Sequence, residues 1–350
     1  MTASKPRQTL RLMETWHSLF YTPIYVAVAG GFLEQEGLDV TFTTCPPKFS
    51  HALDALIHDG ADIAQSGIMR GIIAFGWGAE TVPAHIAKIN ARDGFFLLGR
   101  RPQEEFDLES LRGASLIPIS FTDMPWASCQ FALRRLGVDP ARLKLVPGLS
   151  LDQATAAFVG GEGDFIHLPQ PAAEQLLTSG QAQMAVALGP VIGHVAYSSF
   201  CATNSFLDAK PEVAAAFVRG FARALGWIAG NDAAAVGDAV ASFFPDIDKE
   251  VVVLSVARLK DQETWPADPR LDRPEFEAQQ DILLDAGLVK ARQEYDRIVR
   301  PEFYQALQGC TPEGSGGLPR SARPTPAESR GAVPRRRSAV RVRVSRSSLS

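Results

Sequence analysis

The sequence has little cysteine, and what it has is scattered. Cys45, Cys129, Cys201 and Cys310 form no CxxC pair and have no paired histidines beside them. That spacing gives neither a zinc site nor a disulfide framework, so the four read as buried or half-buried free thiols. No stretch reaches the roughly 18 unbroken apolar residues of a membrane-spanning helix. The first residues, MTASKPRQTLRLME, are basic at the start but hold no apolar core of about 7 to 15 residues, so no secretory signal is legible in them. GxSxG, HExxH and Walker A motifs are missing, and Glu14, Asp62, Asp93 and Asp164 fall at turns without a visible partner. No metal-binding or catalytic set emerges from the motifs.

Positive charge is also scarce, except at one end. The 350 residues carry a formal charge of −4, but residues 311–350 hold nine Arg and two Glu, which leaves −11 on residues 1–310. A body of that sign suits neither nucleic acid nor an anionic membrane, whose affinity comes largely from Lys and Arg neutralising phosphate. The tail, rich in Arg, Ser, Pro and Gly and without apolar periodicity, cannot bury enough to order itself and is expected to be disordered. All of its basic residues are Arg and none is Lys. It reads as an unselected appendage in preference to a basic arm for an anionic partner.

What remains is ample for two packed lobes, with 46% of the chain hydrophobic. TLRLME, TPIYVAVAGGFLEQEG, LDVTFTT, SHALDALIHDG, ADIAQ and GIMRGIIAFGWG alternate strand and helix patterns over short connections, which predicts a parallel sheet covered by helices. Two strand-like runs, TVPAHIAKIN and DGFFLLGR, then lead into a second unit with the same rhythm from Asp107. VAYSSFCATN reads as a strand returning to the first unit, and the sequence from Lys210 to Gly309 is almost purely helical, with Pro211 placed as a first-turn proline. Two crossings between two α/β lobes leave a cleft, and ligands of open α/β sheets sit at the strand ends that line such a cleft.

The run TWHSLFYTPIYVAVAGGFLEQEGLDV resembles the opening of the SsuA/THI5/NMT1-like substrate-binding proteins, and ALIHDGADIAQSG resembles that family's next element. DLESLRG, FALRRLGVD, AAFVGGEGDF and KPEVAAAFVRGFARAL follow in the expected order, so the resemblance spans about residues 9–260. It implies the type II periplasmic-binding-protein fold: lobe 1 from residues 9–92 and 195–310, lobe 2 from 93–194, and the tail 311–350 outside both. It also implies a solute-binding protein for an ABC importer, taking a solute of the sulfonate, nitrate, taurine or pyrimidine type, with an ABC permease as partner and a periplasmic location. The chain as written, lacking a visible signal, reads as cytoplasmic, and a monomer without cofactor is expected.

The cleft floor is expected at the strand ends: Trp16, His17, Ser18 and Tyr21 after the first strand, and Ser66, Gly67 and Arg70 after the third. Ser120, Thr122 and Trp126 follow in lobe 2, then Gln170, with Asn90 and His194 at the crossings. Helix N-termini at Gly67 and near Asp123 would offer N–H groups to an anionic or polar ligand. Trp16, Tyr21 and Trp126 could stack on a planar solute, and Arg70 could pair with a carboxylate or sulfonate. Tyr21 and Trp126 read equally well as core residues, and Arg70 as a surface arginine. His51, His58 and His85 read as surface or packing histidines.

The same resemblance raises the question of catalysis, because its fungal branch makes the thiamine pyrimidine from pyridoxal phosphate and one of its own histidines. DIAQSGIMR laid on that branch's element places Ser66 at the lysine and Arg70 at the histidine. Serine has no amine for a Schiff base and guanidinium is no imidazole, and the cysteine cluster expected before the return crossing is absent from VIGHVAYSS. The reading is of a protein that holds a solute; a thiamine-pyrimidine synthase or another cytoplasmic enzyme on the same fold is the alternative.

Overall fold

The computed structural model describes residues 7–100, 108–120, 122–305 and 307. The basic tail and Cys310 therefore lie outside the described residues. Among the described residues, ten strands form two five-stranded sheets. The first contains β1 (Gln8–Glu14), β2 (Leu38–Thr44), β3 (Ile63–Gly67), β4 (Ala84–Asn90) and β10 (Ser198–Ala202), in the order β2-β1-β3-β10-β4. The second contains β5 (Phe95–Gly99), β6 (Ser115–Ile117), β7 (Lys144–Leu145), β8 (Phe165–Pro169) and β9 (Gln183–Ala187), in the order β7-β6-β8-β5-β9.

Both sheets are mixed and parallel-rich, in keeping with the strand-helix rhythm: in each, one strand, β10 or β5, runs against the other four. β1 pairs in parallel with β2, from Gln8 opposite Leu38 to Glu14 opposite Thr44, and with β3. β10 runs antiparallel to both β3 and β4, and β5 antiparallel to both β8 and β9. The cause is the path of the chain. β1, β2 and β3 run toward the junction of the lobes, whereas β5 and β10 each start at the junction and run away from it. Their hydrogen bonding is intact in either direction, so local propensity does not reveal the reversal.

The two crossings are residues 91–94 and 193–197. They are bonded to each other, Val195 N–H to Ala91 O at 2.8 Å and Tyr197 N–H to Asn90 O at 3.2 Å, so the junction is a short two-stranded ribbon. The apolar core of lobe 1 is built on the helix Pro211–Gly230, whose Phe217 and Phe221 meet the ring of Phe200 edge-on from β10. Pro211 occupies the first turn, where its missing N–H costs nothing.

Two helical expectations need correction. TPIYVAVAGGFLEQEG is two helices, Thr22–Ala29 and Phe32–Gln35, because Gly31 adopts φ +69° and ends the first. The C-terminal region is broken into Ala233–Val240, Lys249–Asp261 and Arg273–Asp285, with prolines 245, 266, 269 and 274 in or beside the breaks and little regular helix after Gly287. The last two of these helices strap onto lobe 2. Arg258 makes two bonds, 2.6 and 2.9 Å, to the buried carboxylate of Glu174, and Arg134 bonds Asp285.

Candidate functional site between the lobes

At the end of β1 a buried carboxylate organises the first loop. Glu14 accepts Tyr25 Oη–H at 2.6 Å, Thr44 Oγ1–H at 2.7 Å and His17 Nδ1 at 2.7 Å. β2 supplies Thr44 because the parallel register sets it opposite Glu14. The other ring nitrogen of His17 bonds Phe243 O at 2.9 Å, and the ring stacks on Phe244 at 4.6 Å. Burial works to lower the His17 pKa, but the Glu14 bond and charge outweigh it and the net direction is upward. Both nitrogens are thus taken up within the protein.

Ser18 is buried and doubly used: its hydroxyl accepts Phe20 N–H and donates to Gln170 O at 3.0 Å, directly linking the lobes. Gln170 is buried too, donating to Glu174 and accepting from Glu174 N–H and Ser255. Asn90 Nδ2 donates to Phe20 O at 2.8 Å, an oxygen that also accepts Trp265 Nε1–H. His194 sits on the exposed side of the crossing, 3.0 Å from Arg92 and near Glu263 and Glu275. Ser120 accepts Gly148 N–H at 2.8 Å at the exposed edge of lobe 2.

The end of β3 differs. Ser66 is fully buried, its hydroxyl 3.4 Å from Gly67 O. The helix Met69–Gly76 follows, with no side-chain cap at its N-cap Ile68, and Arg70 stands in its first turn. Arg70 is the only arginine among the described residues whose guanidinium has neither a hydrogen bond, nor an ion pair within 4.0 Å, nor a ring beneath it. It is half-buried, and burial lowers its pKa while the charge of Asp123 and the nearby Tyr21 act against that. Tyr21 is buried beside Ser198 and Gln65, and burial pushes its hydroxyl up to about 12.

Lobe 2 presents the helix Asp123–Arg135 to the same place. Its N-cap Thr122 makes no side-chain cap bond, so the first-turn N–H groups are not taken by it. Trp126 and Trp16 are both half-buried and pack partly against the core, one from each lobe.

His51, which the sequence reads as a surface or packing histidine, is the N-cap of the helix Ala52–Ile57 and lies within reach of the charge of Arg70. Its Nδ1 accepts Leu53 N–H at 3.0 Å, so the neutral ring carries its proton on Nε2. Burial and the Arg70 charge push its pKa down to about 3. The sequence does not single out Gln65 or Ser198, takes Asp123 only as the mark of a helix N-terminus, and gives His51 no place at the site. Each sits within a residue or two of a strand end or a helix start, a signal that would have found them. His85 is a packing residue, buried with Nδ1 2.6 Å from Ser199 Oγ, and His58 is exposed beside Asp54.

Two cavities of about 350 and 410 Å³ lie elsewhere, on lobe 2. The first borders Arg100, whose guanidinium is occupied by the carbonyls of Phe158, Glu162 and Gly163. Neither cavity reaches the strand ends that carry Arg70.

Two mixed sheets flanked by helices, joined by a paired crossing with unused polar groups where they face, define the class of periplasmic-binding-protein folds. The chain belongs to the NMT1/THI5-like family, whose model matches residues 20–235. It is 29% identical over 311 residues to YtlA of Bacillus subtilis (strain 168), a candidate binding protein, covering 88% of this chain and 93% of that one. In fold it is similar to the periplasmic aliphatic sulphonate binding protein SsuA from Escherichia coli, with TM-score 0.62, 16% identity, and 84% and 98% of the two chains covered. It is also similar to a mutant of DSZB in complex with biphenyl-2-sulfinic acid, with TM-score 0.64, 17% identity, and 86% and 98% covered. DSZB is a desulfurization enzyme, so this fold serves both binding proteins and an enzyme.

Proposed function

We propose that the protein captures a small polar or anionic solute between its lobes and delivers it to an ABC importer. The observation that carries this reading is Arg70, a half-buried guanidinium without a partner, at a strand-end edge facing a second lobe. The other arginines among the described residues have carboxylates, carbonyls or rings; a cation left without any is costly unless a ligand completes it. The sulphonate named for the Escherichia coli relative is an anion of the kind that a guanidinium binds through paired hydrogen bonds. That relative is periplasmic, which supports an extracytoplasmic place of work for this protein and a permease as its partner.

Binding in preference to catalysis follows from Ser66 and Arg70. The position that would need an amine holds a buried hydroxyl, and the position that would need an imidazole holds a guanidinium. A thermal-shift panel of sulfonates, aromatic carboxylates, pyrimidines and pyridoxal phosphate tests the reading. A binder at a hundredfold excess over Kd raises stability by about 2.7 kcal/mol. Stabilisation by an anion that Arg70→Ala abolishes is the expected result. Pyridoxal phosphate forming an aldimine, with release of a pyrimidine, would move the protein to the enzymes.

A further inference from the structure

The helix Lys249–Asp261 touches the two lobes in different ways. It is fixed to lobe 1 by close packing: Val253 lies so near Gly237 of the helix Ala233–Val240 that a Cβ there would come within 2.8 Å of its Cγ2. Lys260 adds a bond to Ile228 O in the helix Pro211–Gly230.

Toward lobe 2 the same helix presents polar groups. Arg258 Nε and Nη2 donate to the two oxygens of Glu174 at 2.6 and 2.9 Å, and Ser255 Oγ–H donates to Gln170 Oε1 at 3.3 Å. Gln170 in turn donates to Glu174 Oε2 at 3.1 Å and accepts Glu174 N–H at 3.0 Å, while its backbone oxygen accepts Ser18 Oγ–H from the first loop of lobe 1. Ser18, Gln170, Glu174 and Ser255 are all buried. The other strap, the helix Arg273–Asp285, meets lobe 2 through Gln279 at Met124 and through the pair Arg134–Asp285, whose side chains are 41% and 29% exposed against 3% for Glu174. An exposed pair of that kind holds little, whereas removing one partner of a buried pair is costly.

Parting the helix from Gly237 would expose apolar surface, but parting it from Gln170 and Glu174 hydrates every group that it exposes. The helix therefore travels with lobe 1 and lets go of lobe 2. Its bonds are complete within the protein, so they form before a solute arrives. We propose that the helix Lys249–Asp261 is a clasp: Arg258 and Ser255, closing on Glu174 and Gln170, hold the lobes together in the free protein, and a solute enters the cleft only when they release.

Small-angle scattering and hydrogen exchange on the full chain, without solute, test the clasp. Arg258→Met should raise the radius of gyration and speed exchange of the gap-facing amides in 66–70 and 122–126 about tenfold or more, the effect of one charge-assisted bond. Amides of the core helix Pro211–Gly230 should exchange as in the unmodified protein. Because this variant leaves Glu174 without its cation, the double variant Glu174→Gln/Arg258→Met is measured beside it; it leaves no charge unpaired and should open as well, with its core intact. Arg134→Gln should leave both readings where they were. Unchanged compactness and exchange in the two clasp variants overturns the proposal, as does opening of the same size in Arg134→Gln. Core exchange that rises together with that of the gap-facing amides in the double variant would make the pair a support of the fold and overturns it too. No solute enters these measurements, so failure of the clasp leaves the solute-binding reading to the thermal-shift panel.

Discussion

β1 and β3 are neighbours in one sheet, and the loops leaving their ends face the same gap, yet their polar groups are in opposite conditions. After β1 the side chains are saturated by the protein: Glu14 takes three donors, His17 spends both nitrogens, and Ser18 both donates and accepts. After β3 the guanidinium of Arg70 has nothing. Polar residues at a strand end are therefore of two kinds, those that build the edge and those that the edge presents. What sorts them is the partner that other parts of the chain bring: Thr44 from β2 for Glu14, and the carbonyl of Phe243, 226 residues away, for His17.

The largest way to break this contrast is at Glu14. Glu14→Ala leaves the Tyr25 and Thr44 hydroxyls and the His17 ring without their acceptor in a buried site, and should cost about 3–5 kcal/mol of stability. Denaturant unfolding reads it directly. A loss under about 1 kcal/mol would mean that the first loop is not held by this network.

A second buried carboxylate sharpens the point because it has fewer donors. Asp93, in the first crossing, accepts Phe95 N–H at 2.7 Å and a short bond from Ser128 Oγ–H, with Cys129 and Tyr197 close by. Burial outweighs these bonds and pushes its pKa up to about 7. The folded protein then holds a proton that the unfolded chain releases above about 4. Stability should fall as pH rises from about 4 to about 7, at up to about 1.4 kcal/mol per unit, and level off above. His17, also shifted upward, acts in the same direction: its share is complete below its unfolded value and is lost as pH rises through the folded one. Asp93→Asn should remove most of the slope between pH 4 and 7, leaving the His17 share; a slope unchanged by the substitution would show that Asp93 is ionised in the folded protein.

Arg70→Ala should do the reverse of Glu14→Ala. Removing an unpartnered half-buried charge should leave the stability of the free protein unchanged or raise it, by up to about 1 kcal/mol, while weakening an anionic solute by about 1.5–3 kcal/mol if the guanidinium bonds it directly. Calorimetry and melting, measured on the same variant, test both halves. A variant that binds as before would move the anchor to the rest of the edge, with Trp16→Ala as the next measurement.

The sequence carries this contrast only in part. Strand and helix patterns are local, so the segments TLRLME, LDVTFTT and DFIHLP were legible as strands, and the placement of Arg70 one turn into a helix after a strand was legible too. The antiparallel course of β5 and β10 was not, since alternation and apolar content are the same in either direction. The bonds of His17 to Phe243 O and of Asn90 to Phe20 O were also hidden, because these acceptors are backbone atoms that no side-chain pattern announces. Asp123 and His51 looked ordinary at a helix start, where acids and capping residues are common for reasons of the helix alone. The packing of lobe 1 brings His51 within reach of the Arg70 charge, and lobe 2 brings Asp123.

The smallest expected effect is at Ser18, which lies between the two conditions. Its hydroxyl is fully used, as for the structural group, but one of its bonds crosses to Gln170 in lobe 2. Ser18→Ala removes the cap on Phe20 N–H and the link to Gln170 O, and should lower stability by about 1 kcal/mol, the usual scale of a lost cap or neutral hydrogen bond. If Ser18 serves only the edge, solute affinity should change less than about threefold, because the alanine adds no charge and leaves Arg70 in place. If Ser18 instead reaches the solute when the lobes move, affinity should fall while the melting temperature of the free protein stays where it was. The two outcomes differ in which measurement moves, so one variant assigns Ser18 to the structure of the edge or to its contacts with the ligand.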